Sequence, residues 1–339
     1  MINTAVIGGE FPIDPELIKS KRVNGVYPTY SLGRTCLFSI LNGLTNEINV
    51  LICPDYICSS VTEVPNRLGL TVGHYHIESD YLPNIGSVEE CIGGSAENKA
   101  ILLVSYFGMV CLDDTIVYLR DKYPALKIII DDVQNYFGFG DHAYYDYCFS
   151  SYRKWFSVPD GADIKQRDIS AKLPVYDEEA GYIQYKVAGN VLKNHSDIMD
   201  ESIALELLAK GESLMDESYL YKCSGIGSEL INRLNLHEVA DIRKKNAAFL
   251  HTHLEKMGVD HLYSSERIPL FIPISIPRRD QVRKHLFKEK IFSPVHWPLV
   301  EPKLQGNNTL YSTELSLICD QRYDEEDMER ILKVLADAI

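Results

Sequence analysis

A chain of 339 residues with 45% hydrophobic side chains can bury the core of one large or two ordinary domains. Its 48 acidic against 34 basic residues give a formal net charge of −14 and leave no Lys/Arg block, which argues against a nucleic-acid backbone or an anionic membrane as partner. The opening MINTAVIGGEFPID has neither a basic start nor a long apolar stretch, and no run approaches ~18 apolar residues, so a soluble cytoplasmic protein is expected.

Eight cysteines (Cys36, Cys53, Cys58, Cys91, Cys111, Cys148, Cys223 and Cys319) are scattered, several of them inside apolar runs. With no Cys-x-x-Cys pair and no histidine partner at metal spacing, they read as small core residues of a reduced protein, and no metal site is expected.

In chain order, the first stretch with chemistry in it is Ser31-Leu32-Gly33-Arg34-Thr35. Cys36, Leu37, Ile40, Leu41 and Leu44 then recur at helical spacing, which starts a helix here. Free N–H groups at a helix start, with a hydroxyl and a guanidinium, make a phosphate cradle; an ordinary capped helix accounts for the same residues. Ile48 to Cys53 reads as a short buried strand, and Pro54-Asp55-Tyr56-Ile57-Cys58-Ser59-Ser60 turns into another helix. Thr71 to Ile77, Ala100 to Phe107 and Lys127 to Val133 then alternate with helical stretches around 86–93 and 113–123. That alternation predicts βαβ units and a parallel sheet with helices on both faces.

The run Lys127 to Val133 ends on Asp131 and Asp132, and Tyr144 to Ser151 is a second strand-like run that delivers Lys154 just past its end. Ligands of an α/β domain collect outside the carboxyl ends of its parallel strands, so a carboxylate and an amine delivered this way face one crevice. The pair suits an aldehyde cofactor: the amine forms a Schiff base, and a carboxylate opposite a pyridine nitrogen keeps that ring an electron sink, as with pyridoxal phosphate. Singly, a strand-ending aspartate caps a turn and a lone lysine is a solvated surface group; the two in this order are the signal.

Residues 165–235 are polar and helical in patches, and Leu236 to Met257 is a clear helix stopped by Gly258. Leu270 to Ile276 and Glu314 to Cys319 read as strands, with helices near 279–289 and 324–338, giving a small α/β layer. In Phe292-Ser293-Pro294-Val295-His296-Trp297-Pro298, the histidine and tryptophan either stack on and bond to a sugar or simply pack. Arg322 meets either a ligand's carboxylate or phosphate or a surface ion-pair partner.

The order Asp131-Asp132-Val133-Gln134, then Ser150-Ser151-Tyr152-Arg153-Lys154, then Pro159-Asp160-Gly161, resembles the pyridoxal-phosphate-dependent nucleotide-sugar aminotransferases of the DegT/StrS group. These are fold type I enzymes of the aspartate aminotransferase fold, and the resemblance runs from about Gly8 to the C-terminus. It implies a large cofactor-binding domain over 1–235, with a mostly parallel sheet flanked by helices, and a small C-terminal α/β domain over 236–339. Asp131 takes the place of the ring-nitrogen partner, Gln134 helps seat the ring, and Lys154 is the Schiff-base lysine. Gly33, Arg34 and Thr35, with Ser150 or Ser151, fall where the family holds the cofactor phosphate. Strict spacing puts Cys58 where the family stacks an aromatic on the ring, and Tyr56 is the nearest aromatic. The segment containing His296 and Trp297 resembles a loop that reaches towards the substrate, and Tyr221 to Ser228 a connection that serves the neighbouring active site of a homodimer.

Two departures stand out: Phe149 occupies the position of the phosphate-binding serine in many members, and the acidic-glycine-glycine turn has become Pro159-Asp160-Gly161-Ala162. The implied activity is ping-pong transfer of an amino group from an amino acid, glutamate foremost, to a keto-sugar carried on a nucleotide, in the synthesis of polysaccharide or antibiotic sugars. Relatives that dehydrate or deoxygenate sugars carry histidine in place of Lys154, so the lysine argues against that branch. A fold-related lyase acting on an amino acid, and a non-catalytic relative that binds a sugar nucleotide or regulates a partner, are the alternatives.

Overall fold

The computed structural model describes residues 6–168, 173–193, 200–215, 220–297 and 309–339. After a two-residue strand, Ile7–Gly8 (β1), six strands build the central sheet: Val50–Pro54 (β2), Thr71–Tyr75 (β3), Lys99–Val104 (β4), Lys127–Asp131 (β5), Tyr147–Ser151 (β6) and Ala162–Gln166 (β7). They lie in the order β3-β2-β4-β5-β6-β7, with every neighbouring pair parallel except the antiparallel β6–β7. Ala100 to Val104 and Ile128 to Ile130 are buried throughout. A strand covered on both faces reads as an unbroken apolar run rather than an alternating one, which is why these segments stand out in the sequence.

The expected strands are present; β3, β4 and β5 end sooner, at Tyr75, Val104 and Asp131, while β2 runs on to Pro54 and β6 ends at Ser151 as expected. At Ser105 the chain leaves the sheet for a short 3-10 turn, Tyr106–Gly108, in which Phe107 takes φ 56° and Gly108 φ 72°. Likewise β5 stops at Asp131 rather than Val133, which puts the aspartates at the sheet's carboxyl edge. β7 is not among the expected strands: it starts at Ala162, the end of the Pro159–Ala162 turn, and runs into the stretch from 165 onward read as polar and helical in patches. It is an edge strand whose residues beyond Ala162 are largely half-exposed, so no apolar run marks it.

Helices cover the sheet. Gly33–Leu44 buries Cys36, Leu37, Ile40, Leu41 and Leu44 in the main core. Tyr176–Glu179 (β8) pairs with Tyr221–Lys222 (β9) beside the helices Ile183–Lys193 and Glu201–Met215. The long helix Leu236–Met257 starts at Asn235, whose side chain accepts the Glu238 N–H, and ends at Gly258. Beyond it Ile272–Ser275 (β10) pairs antiparallel with Glu314–Leu317 (β12), backed by the helices Arg279–Lys288 and Glu325–Ala338. Ile291–Phe292 (β11) pairs in parallel with β1, so the N-terminal segment is held in the C-terminal layer. One continuous apolar core runs from Ile7 through Leu102 and Ile130 to Leu250, Ile272, Leu315 and Leu335. Among the described residues, no helix is long and apolar enough to cross a membrane.

Gly108 is a tight point behind the sheet's edge: a Cβ there would stand 2.7 Å from the Ile268 carbonyl oxygen and 2.9 Å from that of Gln134. Gly108→Ala is therefore expected to cost about 2–4 kcal/mol, combining left-handed backbone strain with a clash against two fixed carbonyls. A urea unfolding midpoint within error of the wild type, at unchanged slope, contradicts this.

Candidate active site

Side chains alternate across a strand, so the two aspartates at the end of β5 face opposite ways. Asp132 turns into the protein and its carboxylate is saturated with donors. Ser105 Oγ (2.6 Å) and Asn135 Nδ2 (3.1 Å) reach Oδ1, the Gly140 N–H (2.9 Å) and Cys148 Sγ (3.0 Å) reach Oδ2, and His142 Nε2 lies 3.0 and 3.1 Å from the two oxygens. Burial works against its charge, but His142 and the other donors outweigh it and hold Asp132 below the usual carboxylate range. Asp131 faces a cavity and, among the described residues, accepts only the Val133 N–H, at 2.9 Å. Burial pushes its carboxyl up to about 7, against the pull of that N–H and of Lys154.

β6 ends at Ser151, and the next turn, Tyr152–Lys154, sets Lys154 on the same cavity. Among the described residues its amine has no hydrogen-bond or ion-pair partner. Although the side chain is exposed to the cavity, the protein mass around its amine, and then the neighbouring Arg153 guanidinium, push it below the usual lysine value. Arg153 itself is paired, at 2.8 Å, with Glu212 of the helix Glu201–Met215. Glu212 also takes the buried Lys186 ammonium at 2.5 Å, and Lys186 reaches Glu10 at 2.9 Å. Burial alone would raise Glu212, but Arg153 and Lys186 prevail and bring it down to about 2.

The cavity measures about 740 Å³ and lies between the carboxyl edge of the sheet and the C-terminal layer. Gly33 and Arg34, at the start of their helix, line it close to the β5 and β6 ends. A Cβ on Gly33 would come 2.8 Å from Val133 Cγ2, so only glycine lets the helix N-terminus this near. Gln134 lines the same wall, held by the Phe107 N–H donating to its Oε1 at 2.8 Å. Across from them stand His296 and Trp297 with Phe271 and Arg283. His296 is fixed by its N–H to Glu314 Oε2 (2.6 Å) and by Nδ1 at 3.0 Å from Ser316 Oγ. Arg283 stacks on Phe287 and donates Nε to the Ser293 carbonyl at 3.1 Å.

Of the residues singled out in the sequence, Gly33, Arg34, Asp131, Gln134, Ser151, Lys154, His296 and Trp297 meet on this one cavity. Three do not. The Thr35 hydroxyl is buried against Ser31 Oγ at 3.1 Å, and Ser150 Oγ donates to the Asp132 carbonyl at 2.9 Å. The Tyr56 ring is buried among Tyr106, Trp297 and Tyr311, with Cys58 on the cavity wall instead. Two arginines are buried at the cavity: Arg243, which the sequence does not single out, and Arg322, for which it offers a ligand's carboxylate or phosphate or a surface ion pair. Arg243 donates to the Pro269 and Leu270 carbonyls and stacks on Trp155, and Arg322 pairs bidentately with Asp320 at 2.8 and 2.9 Å. The Arg153–Glu212–Lys186–Glu10 chain was not foreseen either; its one sequence signal is that Arg153 precedes Lys154.

No protein-family model and no curated protein matches the chain by sequence. Solved structures match its fold along nearly its whole length. A DegT DnrJ EryC1 StrS aminotransferase from Brucella abortus is 16% identical with a TM-score of 0.65, over 96% of this chain and 91% of that one. Helicobacter pylori PseC, an aminotransferase involved in the biosynthesis of pseudoaminic acid, is 12% identical with a TM-score of 0.66, over 98% and 99%. NtdA from Bacillus subtilis, with bound cofactor PMP, is 16% identical with a TM-score of 0.63, over 97% and 78%. The chain therefore has the fold type I architecture of these aminotransferases: a mostly parallel six-stranded sheet flanked by helices, with a C-terminal α/β layer.

An aspartate in an unfolded chain titrates near ~3.9, well below the value of about 7 that burial gives Asp131 in the fold. The folded state thus holds the proton more tightly, so the stability this carboxyl contributes is fully present below about pH 4 and lost as pH rises through about 7. Asp131→Asn keeps an acceptor for Val133 and cannot ionise. In cofactor-free protein its Tm should draw ahead of the wild type between about pH 4 and pH 7 and stay ahead above that. A wild type that melts higher than the variant at pH 8 contradicts the assigned shift.

Proposed function

We propose that this chain is a pyridoxal-phosphate-dependent aminotransferase that moves an amino group from an amino acid, glutamate foremost, to a keto-sugar carried on a nucleotide. The observation that carries the reading is the meeting of an unpaired Lys154 amine, a buried Asp131 carboxyl and the glycine-opened helix start at Gly33 on one cavity. The shared fold with solved sugar aminotransferases supports it.

The donor set fits the cofactor. Lys154 is the amine for its aldehyde, Asp131 the partner for its ring nitrogen, and the N–H groups at Gly33 and Arg34 with the Ser151 hydroxyl the cradle for its phosphate. When bound, pyridoxal phosphate supplies an electron sink that stabilises negative charge on the donor's α-carbon. Asp131 answers a cation at the ring nitrogen by ionising, because an opposite charge cancels the burial effect that otherwise keeps it protonated. Gln134, anchored through Oε1 to the Phe107 N–H, limits how the ring sits. Lys154 Nζ, already below the usual lysine value, takes the proton from the donor's α-carbon and returns one to the acceptor. Arg153, held by Glu212, favours the neutral, basic form of that amine by charge repulsion.

The volume of about 740 Å³ lies in the range of sites that enclose a sizeable ligand, which leaves room for a sugar beside the cofactor. Trp297 offers an apolar face for a sugar ring. Arg283, whose terminal nitrogens have no partner among the described residues, offers a fork for a phosphate or carboxylate.

The test is the visible spectrum of the purified protein with pyridoxal phosphate, before and after glutamate, beside Lys154→Ala. The expected result is a Schiff-base band that requires Lys154, bleaches with glutamate and returns with a nucleotide-linked keto-sugar, and a variant slowed by at least about 10²-fold. A band retained by the variant, or one in the wild type that no amino acid bleaches, overturns the assignment.

A further inference from the structure

Outside the lining of the large cavity, the helix Leu236–Met257 presents His251 and Glu255 four residues apart, on one face. The chain turns at Gly258 and brings His261 back against them. His251 Nδ1 lies 2.9 Å from His261 Nε2, Glu255 Oε1 lies 3.9 Å from the same nitrogen, and the three donor atoms all fall within 4.8 Å of one another. We propose that this triad binds one divalent transition-metal cation of the zinc class, a clasp that ties the long helix to the β10–β12 sheet.

The donor chemistry selects the class. Two imidazoles and one carboxylate are what zinc, cobalt and nickel take, whereas magnesium and calcium call for oxygen ligands. The distances agree with it. Ligands about 2.0–2.1 Å from a tetrahedral zinc stand roughly 3.3–3.4 Å apart, so the histidine pair must open by about half an ångström, and Glu255 must close by about the same on His261 and by up to about 1.4 Å on His251. Such shifts are small rotations at the ends of side chains, and Glu255 is 65% exposed.

The histidines are held ready for the ion. His261 Nδ1 sits 2.8 Å from the Val259 carbonyl oxygen, which can only accept, so Nδ1 carries the proton and Nε2 turns a lone pair to the triad's centre. The His251 ring stacks on Tyr263 at 4.1 Å and an interplanar angle of 16°, which sets its plane. Moving a proton from its Nδ1 to Nε2 frees the second lone pair with no change of charge. His261 also forms a β-bridge with Ile274 of β10, so an ion bound there joins the helix to that sheet. Asp80 and Asp260, which share a second cavity of about 230 Å³ with His261, add negative charge on that side.

The experiment uses the full chain, stripped with a chelator and dialysed, then titrated with Co²⁺ and Zn²⁺ against a chromophoric competitor, with Tm followed in parallel. The expected result is one ion per chain, a visible cobalt difference band that zinc removes, and a Tm several degrees higher with zinc. His251→Gln and Glu255→Gln, both at accessible positions, should each weaken binding by at least about tenfold and cancel the rise in Tm. Binding that neither substitution weakens, or cobalt bands of the thiolate charge-transfer type from the cysteines, overturns the proposal, as does a stripped protein that takes up no ion.

Discussion

The buried carboxylate of Asp132 is the constraint on which the rest of the site depends. Its donors come from the end of β4, the turn after β5, the loop to β6 and β6 itself, so one charge ties together the ends of three strands. Left without them, a carboxylate so deep would be too costly to keep ionised. His142 completes the arrangement. Burial opposes its protonation, but Asp132 on one side and Asp113 on the other raise its pKa above the ordinary histidine value, so the hydrogen-bonded arrangement favours the charged ring beside Asp132.

The consequence falls on the neighbouring residue. With Asp132 fixed inward, strand alternation has no choice but to aim Asp131 at the cavity, where it meets one N–H and almost no water. Two adjacent aspartates thus take opposite directions of shift from opposite surroundings, the saturated one down and the enclosed one up to about 7. Separated titrations of this kind mark groups with different roles. The inner aspartate builds the edge, and the outer one is left available to a cation in the cavity.

A second set of charges does the same for the amine. Glu10, Lys186, Glu212 and Arg153 run in alternating sign from the N-terminal segment through two helices to the residue before Lys154. Because Arg153 is spoken for by Glu212, Lys154 is, among the described residues, beside a positive charge rather than paired with a negative one, and loss of water first and that charge second disfavour its own. The C-terminal layer closes the opposite side through His296, Trp297 and Arg283, and β1 pairing with β11 keeps the N-terminal segment in that wall.

What the sequence by itself determined is whatever is written in neighbouring residues. Apolar runs buried on both faces mark β4 and β5, one-and-four spacing marks the helices at Gly33 and Leu236, and a carboxylate and an amine follow successive strand ends as Asp131 and Lys154. Tertiary structure decided everything that needs a partner from elsewhere. Ser150 and Ser151 are indistinguishable until pairing with β5 turns one hydroxyl to the Asp132 carbonyl and the other to the cavity. Tyr56 looks like a stacking ring until Tyr106, Trp297 and Tyr311 enclose it, and Arg243 looks like a surface cation until the Pro269 and Leu270 carbonyls take its guanidinium. His251 and Glu255 stand four residues apart on one helix face, but their third donor, His261, is supplied only by the turn at Gly258 and the bridge to β10. Periodicity reports which face of an element is apolar, but not which atoms from the rest of the chain will meet it, and that second fact sets burial, pairing and charge.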